Sequence, residues 1–419
     1  MTDRGPLPVA DADAVVIGAG AFGLATAFHL ADLGAGRVLL LDRFDPASQT
    51  SPRAAGLFKL VQADRALIDL ARRSVAIVAG FETATGVPMP HVRSGSLLLA
   101  RTPHHAALIA EEVARARACD VELEPVSPAE AHRLAPWVKP DSLLAAYHVP
   151  GDIYVEEPAT LLAAYRTAGE QRGVTVVGHA PVTGLRMDHG RVTGVRTPRG
   201  DVRTETVIDA AGAWAPAIGD LVGVSVPVAP VRHQLRITAP IVGIVPAHPI
   251  ARIVDASVYL RPARGGLMLG GMERDPLPLD PRQTPPDFTM ADVPLDAGTL
   301  DRLESPVQDQ VPALRDAMTA EHRGGLFTMT PDARFLAGPV AALPGLWLAT
   351  GCNGSGFSLA SGIGRALAEW IVGGAPTLDP APFHPDRFAD RPLDPAALVA
   401  AGVHQYASYY APPTEVRSF

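Results

Sequence analysis

The stretch ADAVVIGAGAFGLATAFHLADLGAGRVLLLDR, residues 12–43, predicts the start of an α/β fold. Its short apolar run, Ala14–Ile17, is typical of a buried parallel strand. A helix is expected from Ala21, because the sequence there becomes apolar on a helical period. Gly34 and Gly36 are expected to end this helix before a second apolar strand that reads RVLLLD.

A glycine pattern joins the first predicted strand to the helix. Gly18, Gly20 and Gly23 form G-x-G-x-x-G, in which the first glycine allows the turn, the second lets the backbone approach a pyrophosphate, and the third lets helix and strand pack closely. The helix N-terminus then offers free N–H groups to phosphates. Asp42 ends the second strand, where a carboxylate binds an adenosine ribose, and Arg43 follows it. The unit therefore predicts a Rossmann-like dinucleotide site.

The composition excludes several other classes of protein. Apolar residues make up 47% of the 419 residues, and the net charge is −8 without a basic stripe, which argues against nucleic-acid binding. No apolar run reaches the ~18 residues of a membrane span. Two cysteines, Cys119 and Cys352, give neither a disulfide framework nor a metal-ligand spacing. The cysteine spacing therefore predicts no metal site. Since the N-terminus lacks a signal-peptide pattern, we expect a cytoplasmic protein.

The rest of the chain predicts a nucleotide-binding domain interrupted by a second domain. An alternating stretch in residues 182–212 predicts a β-meander, and strands broken by proline and glycine follow from about residue 221. The expected fold class is α/β, a Rossmann-like domain interrupted by an α+β substrate domain with a large, mostly antiparallel sheet. The predicted parts are residues 1–85, 150–220 and 326–380 for the first domain, 86–149 and 221–325 for the substrate domain, and 381–419 for a C-terminal tail.

Five segments, in order along nearly the whole chain, resemble the flavoprotein family of D-amino-acid oxidase, glycine oxidase, sarcosine oxidase and dimethylglycine dehydrogenase. They are VVIGAGAFGLATAFHLA (residues 15–31), DAAGAWA (209–215), VYLRPARGGLMLGG (258–271), TPDARFLAGP (330–339) and LWLATGCNGSGFSLASGIGRALAEWI (346–371). The resemblance implies that the dinucleotide is FAD.

In that family the C-terminal glycine loop runs beside the flavin ring, and the helix N-terminus that follows it stabilises negative charge on the reduced flavin. The glycine pattern and the resemblance together indicate a set of cofactor-binding residues. They are Gly18, Gly20, Phe22, Gly23, Asp42, Arg43, Ser51, Arg53, Ala54, Ala55, Gly212, Trp214, Gly354, Ser355, Gly356 and Phe357.

The chain departs from the family where relatives tether the flavin. Monomeric sarcosine oxidases hold FAD through a cysteine before the T-P-D segment, and Gly325 takes the aligned position here. Dimethylglycine dehydrogenases attach FAD through the histidine of a W-H-A-A-G-L segment, and SPRAAGL, residues 51–57, has Arg53 in its place. The resemblance therefore implies non-covalent FAD.

Two lysines of the sarcosine oxidases are also replaced. The lysine that promotes reaction with oxygen falls at Met268, and a second, which holds the substrate's carboxylate, falls at Ser358. Methionine brings no positive charge to a developing superoxide. This departure favours a dehydrogenase over an oxidase.

Lys59 is one of only two lysines in the chain, the other being Lys139. By approximate alignment it falls where relatives keep the arginine that binds the substrate's carboxylate, and a lysine can do this as a point charge. An exposed lysine at the edge of a strand is the alternative. The sequence leaves both interpretations open.

Further catalytic candidates besides Lys59 are His233, Tyr259, Arg261 and Met268. His233 is predicted to orient or activate the substrate, with a structural histidine as the alternative. Arg261 is either a second anion contact or a structural arginine paired with a carboxylate, and Tyr259 is expected to line the pocket. Three tail tyrosines, Tyr406, Tyr409 and Tyr410, predict a segment that folds over the active site, a subunit contact or a disordered end.

The resemblance implies FAD-dependent oxidation of an amine or amino acid, with hydride transfer to flavin N5 and hydrolysis of the resulting imine. Three alternatives remain: a 2-hydroxy-acid or polyol dehydrogenase with His233 as base, a biosynthetic flavoenzyme for a larger amine, and a flavin-bearing subunit of an electron-transfer complex. The expected partner is a small-molecule amine or amino acid. A second copy of the chain or an electron-acceptor protein is a further candidate partner.

Overall fold

The computed structural model describes residues 5–390 and 394–410. Within them the chain forms 19 strands and nine α-helices. The strands are Ala14–Ile17 (β1), Val38–Leu41 (β2), Leu57–Phe58 (β3), Ser96–Ala100 (β4), Glu124–Pro125 (β5), Ala145–Val149 (β6), Ile153–Tyr154 (β7), Thr175–Val177 (β8), Gly184–Asp188 (β9), Arg191–Thr197 (β10), Gly200–Arg203 (β11), Val207–Asp209 (β12), Ala229–Thr238 (β13), Ile250–Ile253 (β14), Val258–Ala263 (β15), Gly266–Gly271 (β16), Thr319–Met329 (β17), Leu336–Pro339 (β18) and Leu346–Thr350 (β19). The helices are Ala21–Asp32 (α1), Arg65–Thr85 (α2), Pro103–Arg117 (α3), Pro128–Leu134 (α4), Pro158–Gln171 (α5), Ala215–Asp220 (α6), Ala297–Glu304 (α7), Gly356–Gly373 (α8) and Pro395–Ala407 (α9).

The first sheet has six strands in the order β18-β19-β12-β1-β2-β8. Its pairs are parallel except for the edge pair of β18 and β19. The strands β1 and β2 are buried along their whole length, as expected for a parallel sheet covered on both faces. The predicted strand–helix–strand unit at the start of the chain is confirmed, and α1 begins at Ala21 as expected.

Glycines allow the helices beside this sheet to pack closely. A Cβ added at Gly23 of α1 would lie 1.7 Å from the carbonyl oxygen of Gly18, so only glycine fits at that point. A Cβ added at Gly364 of α8 would lie 2.7 Å from the backbone of Ala25 in α1. The two helices therefore touch backbone to backbone, and their N-termini lie side by side.

The second sheet has eight strands in the order β17-β13-β16-β15-β14-β4-β6-β5. Its neighbours run antiparallel except for the parallel pair of β14 and β4. This confirms the predicted large, mostly antiparallel sheet and the α/β class. A separate three-stranded meander, β9 to β11, forms where the sequence alternates.

Two further segments are fixed beside the large sheet. Strand β3, which pairs with β7, ends one residue before Lys59, and the next residue, Leu60, donates its backbone N–H to the carboxylate of Asp152 at 2.8 Å. The C-terminal helix α9 packs on β13 and β17, where a Cβ at Gly402 would lie 2.6 Å from the Cβ of Ala229. This places the tail, as far as residue 410, against the substrate-side sheet.

The domain boundaries remain a prediction. The β-rich sheet draws its strands from both predicted pieces of the substrate domain, and β17 continues to Met329, beyond the predicted boundary at residue 325. Residues 391–393 and 411–419 of the predicted tail lie outside the described residues. Among residues 5–390 and 394–410, no helix is both long enough and apolar enough to cross a membrane.

We predict opposite effects of two glycine-to-alanine changes on stability. Gly23→Ala forces a methyl group against the Gly18 carbonyl and should lower the free energy of unfolding by about 1 to 3 kcal/mol. Gly80→Ala, in the middle of α2 with open space around its Cβ position, should raise it by about 0.5 to 1 kcal/mol. Denaturant unfolding of both variants measures this, and equal stabilities would contradict the packing described.

Candidate FAD and substrate site

A large cavity lies between the carboxyl ends of β1 and β2 and the face of the eight-stranded sheet. Its empty volume is about 2000 Å³, which includes the solvent at its mouth. All but one of the predicted cofactor residues line it, the exception being Gly23. Of the predicted catalytic residues, Lys59, His233 and Tyr259 line it.

One end of the cavity is built by the glycine loop. Gly18 has φ +100°, and a Cβ there would lie 2.6 Å from the carbonyl oxygen of Ala210. The N–H of Ala19 donates to the Asp42 carboxylate at 2.7 Å, and that of Ala21 donates to the Ser51 hydroxyl at 3.0 Å. The N-terminus of α1, with a carboxylate and a hydroxyl beside it, therefore faces the cavity.

Asp42 and an aromatic group lie next to this loop. Burial raises the pKa of Asp42, although hydrogen bonds from the Phe44 and Ala19 N–H groups oppose that effect. The Arg43 guanidinium lies 4.9 Å from the Phe44 ring centre and 5.8 Å from that of Trp214. A flat, cationic and aromatic surface of this kind suits an adenine ring.

The N-terminus of α8 forms a second wall. Gly354 takes φ +74° and Ser355 precedes the first helical residue, Gly356. A Cβ at Gly356 would lie 3.4 Å from the Phe22 ring of α1, so the two helix N-termini meet. Their free N–H groups give this part of the cavity a positive potential.

Arg53 lies between the two ends. Its guanidinium donates to the backbone carbonyls of Ser48 and Gln49. Gly325 takes the position at which monomeric sarcosine oxidases are inferred to hold FAD through a cysteine. It also lines the cavity, and a Cβ there would lie 3.0 Å from the Thr50 side chain. The two tethering positions inferred from sequence thus both line the cavity.

Lys59 faces the far end of the cavity together with the C-terminal tail. Its Nζ donates to the Tyr409 hydroxyl at 3.4 Å and lies 5.3 Å from that ring centre, and the same hydroxyl is 3.1 Å from Ser355 Oγ. Burial raises the pKa of Tyr409, but the charge of Lys59 and the hydrogen bond from Ser355 outweigh it and lower the pKa. Of the tail tyrosines, Tyr409 and Tyr410 line the cavity.

His233 is held between two tyrosines. Its Nδ1 lies 2.8 Å from the Tyr406 hydroxyl and its Nε2 lies 2.9 Å from the Tyr259 hydroxyl, while Phe327 stacks on the ring at 4.3 Å. Burial lowers the pKa of His233 to about 3, so the imidazole is neutral near pH 7 and has one N–H.

The three side chains form one hydrogen-bonded chain. A neutral imidazole has one donor and one acceptor nitrogen, so His233 donates to one tyrosine hydroxyl and accepts from the other. Tyr259 and His233 line the cavity, which gives a bound substrate access to the Tyr259 end of the chain.

A family model described as DAO, FAD dependent oxidoreductase, matches residues 13–370. The chain belongs to the FAD-dependent oxidoreductase family. It is 32% identical to human mitochondrial sarcosine dehydrogenase over 97% of this chain and 44% of that protein. It is 30% identical to mitochondrial dimethylglycine dehydrogenase of Rattus norvegicus over 90% of this chain and 45% of that protein. The chain thus spans less than half the length of these two relatives.

A solved structure supports the same fold. L-proline dehydrogenase from P. horikoshii matches with a TM-score of 0.82 and 23% sequence identity, covering 92% of this chain and 99% of that chain. The predicted family, fold class and FAD cofactor are confirmed by these comparisons together with the family match.

FAD fits the residues that the cavity presents. Gly18 has no room for a side chain beside the Ala210 carbonyl, as the tight turn requires, and Gly20, the glycine that allows close approach of a pyrophosphate, lines the cavity. Each Asp42 oxygen accepts one backbone N–H, and a carboxylate has about four acceptor sites, so ribose hydroxyls can still donate to it. Gly23 contributes to the site indirectly, by allowing α1 to approach β1.

Two predicted catalytic residues lie outside the cavity wall. Arg261 is fully buried, and its guanidinium donates to the carbonyls of Ala55, Pro262 and Glu156 at 2.6 to 2.9 Å. The prediction of a second anion contact is therefore corrected: Arg261 is structural, and its partners are backbone carbonyls rather than the carboxylate that the alternative assumed.

Met268 is also fully buried, in an apolar cluster with Leu235 and Ile237 that packs on Ala55. It lies behind the cavity wall and does not line the cavity, which corrects its assignment as a catalytic residue. The replacement of a lysine by an apolar side chain still leaves no charge at this position.

Sequence reasoning missed Arg323, which lines the cavity from β17 and is 7% exposed. It forms ion pairs with Glu157 and Glu321, and its Nη1 has no hydrogen-bond partner in the described residues. No local pattern distinguishes it from the many other arginines. Across residues 5–390 and 394–410, no group of three or more His, Cys, Asp or Glu side chains is arranged to hold a metal ion.

A buried acid at the end of β12 gives a pH-dependent prediction. One oxygen of Asp209 accepts from the Ala211 N–H at 3.0 Å, and the other has no partner. Burial raises the pKa of Asp209 to about 7, against the lowering effect of that hydrogen bond. The folded protein therefore holds a proton that the unfolded chain releases near pH 4, and this group makes folding less favourable as the pH rises from about 4 to 7.

Asp209→Asn removes this cost while keeping an acceptor for Ala211. The variant's free energy of unfolding should exceed that of the wild type by more at pH 8 than at pH 5. The difference between these two gains should be about 2 to 3 kcal/mol. Asp287→Asn, which removes an exposed carboxylate, serves as the control for the change in charge. Denaturant titrations at the two pH values decide, and a gain that does not vary with pH would refute the assignment.

Proposed function

We propose that the chain oxidises the C–N bond of a small amine that carries a carboxylate, an α-amino or N-alkylamino acid, with FAD as the electron acceptor. The observation that carries this proposal is the distribution of charge along the cavity. Among the described lining residues the one acid is Asp42, at the nucleotide end, and the substrate end holds the cation Lys59. A site of this polarity attracts an anion.

Lys59 is suited to bind a carboxylate because no described carboxylate lies within ion-pair distance of it. Its side chain contacts the hydroxyl and ring of Tyr409, and the buried Asp152, which accepts from the Leu60 N–H, acts on its charge from farther away. The substrate's carboxylate would accept from Lys59 Nζ, and the Tyr259 hydroxyl, which lies 2.9 Å from His233 Nε2, lines the same cavity. Charge-assisted hydrogen bonds of this kind are about twice as strong as neutral ones.

The same cations favour the reactive form of the amine. Arg53, Lys59 and Arg323 line the cavity, and nearby positive charges lower the pKa of a bound ammonium group. A neutral amine has the lone pair that is needed when its neighbouring C–H bond loses a hydride. When bound, FAD supplies the hydride acceptor, and water then hydrolyses the imine product.

His233 supports an amine over an alcohol as substrate. A 2-hydroxy-acid dehydrogenase needs a base for the O–H proton, with a pKa near the working pH. Both ring nitrogens of His233 are hydrogen-bonded to tyrosines, and burial lowers its pKa to about 3. A neutral amine needs no such base, so this arrangement argues for the amine.

We further propose non-covalent FAD, since Arg53 and Gly325 stand where relatives were inferred to carry tethering residues. We also propose a dehydrogenase that passes electrons to an acceptor protein, as the departure from the sarcosine oxidases at Met268 favours, although Arg53, Lys59 and Arg323 bring other positive charges to the cavity. A cytoplasmic location and a homo-oligomeric state remain proposals, and both mammalian relatives compared above are named as mitochondrial.

Anaerobic reduction of the bound flavin by a panel of small molecules tests the proposed function. N-methyl, D- and L-amino acids are expected to bleach the flavin absorbance, and 2-hydroxy acids are not. Bleaching by hydroxy acids alone would favour the alcohol dehydrogenase instead. No bleaching by any compound would favour a non-enzymatic flavin subunit, and reduction only by bulky amines would favour a biosynthetic enzyme.

Replacing the chain's two lysines separately tests the carboxylate site. Lys59→Met should raise the KM for the amino acid that reduces the flavin by about 10- to 100-fold, because a hydrogen-bonded charge is lost. The FAD spectrum should stay unchanged. Lys139→Met, at the exposed second lysine, removes the same charge outside the cavity and should leave KM unaltered. Equal KM values for the two variants would remove Lys59 from the site.

A further inference from the structure

Arg53 brings to the cavity wall a positive charge that no acid among the described residues pairs with. The residue lines the cavity, is half-buried, and donates only to the carbonyls of Ser48 and Gln49. Among the described residues it takes part in no ion pair. Its neighbour Arg323, by contrast, is paired with Glu157 and Glu321.

Arg53 lines the cavity together with the glycine loop, where the phosphates would bind, and with Lys59 at the substrate end, so the isoalloxazine would lie near it. The Ser51 hydroxyl, in the same 3₁₀ turn, accepts from the N–H of Ala21 at the N-terminus of α1, where the pyrophosphate would bind. The chain then runs past Arg53 to Ala54 and Ala55, which line the cavity on the way to Lys59. Arg323 and Gly325, two residues apart on β17 and therefore on one face, approach the same place.

A charge at this point acts on the flavin's redox equilibrium. Two-electron reduction adds negative charge to the ring system, and a fixed cation stabilises the reduced form more than the oxidised form. The interaction is less screened than at the surface because the guanidinium is partly removed from water. Arg53 remains protonated at any working pH.

We propose that Arg53 is a positioning residue for the redox reaction: its uncompensated guanidinium raises the reduction potential of non-covalently bound FAD, at the position where relatives were inferred to carry a covalent tether. The carboxylates of Glu157 and Glu321 reduce the contribution of the neighbouring Arg323. Removing an acid from this pair should therefore raise the potential, and removing Arg53 should lower it.

The test is the midpoint potential of the FAD-loaded protein, measured spectrophotometrically with dithionite and reference dyes and without any amine. Arg53→Gln should lower the ratio of reduced to oxidised flavin at a given potential about tenfold, which for a two-electron couple equals a shift of about −30 mV. Arg53→Lys keeps the charge and should restore most of the wild-type value.

Arg43→Gln is the matched control, because it removes the same charge from the nucleotide end of the same cavity, where Arg43 lies over Phe44 and Trp214. It should change the ratio less than about threefold, since its distance from the ring weakens the interaction. Equal shifts in the two variants, or no shift in Arg53→Gln, would overturn the proposal.

Glu321→Gln provides a second test that keeps Arg53 and does not depend on FAD retention by the Arg53 variants. It should raise the potential, because Arg323 loses a carboxylate partner. A lowered or unchanged potential would contradict the proposal. These measurements use no substrate, so their outcome is independent of whether the proposed amine oxidation is correct.

Discussion

The contact between α1 and α8 is the constraint on which the cavity depends. Both helices approach each other at glycine, since Gly364 touches the backbone at Ala25 and Gly356 lies against Phe22. Gly23 in turn brings α1 onto the loop at Gly18. As a result, two helix N-termini face one cavity, and their free N–H groups supply positive potential that no side chain has to provide. A Cβ at Gly364 would push α8 away from α1, and a Cβ at Gly23 would push α1 away from the loop at Gly18.

Side chains then divide the cavity into two electrostatic regions. At the nucleotide end, the Asp42 carboxylate accepts from the backbone of Ala19 and Phe44 and offers further lone pairs to a ribose. At the substrate end, Lys59 and the hydroxyls of Tyr259 and Tyr409 present donors. Neutral His233 holds Tyr259 in place without adding charge. This division of charge supports the proposed reaction, in which the substrate's carboxylate binds at the cationic end and its neutral amine lies against the electron-accepting ring.

Local sequence predicted the features that depend on neighbouring residues. The strand–helix–strand unit, the glycine positions and Asp42 follow from spacing within about 30 residues, and the rarity of lysine drew attention to Lys59. Partners distant along the chain escaped prediction. The Tyr409 that meets Lys59 is 350 positions away, and Arg261 is held by carbonyls of Ala55 and Glu156, which carry no sequence signal. Arg323 was missed because one arginine among many has no distinguishing pattern.

The central claim, that the substrate end of the cavity selects a carboxylate, is tested most directly by a pair of amines that differ only in charge. The measurement is the rate constant for anaerobic flavin reduction, divided by the dissociation constant, for an N-methyl amino acid and for its uncharged amide. The account predicts that the acid is preferred by about 10- to 100-fold, as expected for loss of a charge-assisted hydrogen bond. Equal values for the acid and the amide would contradict it.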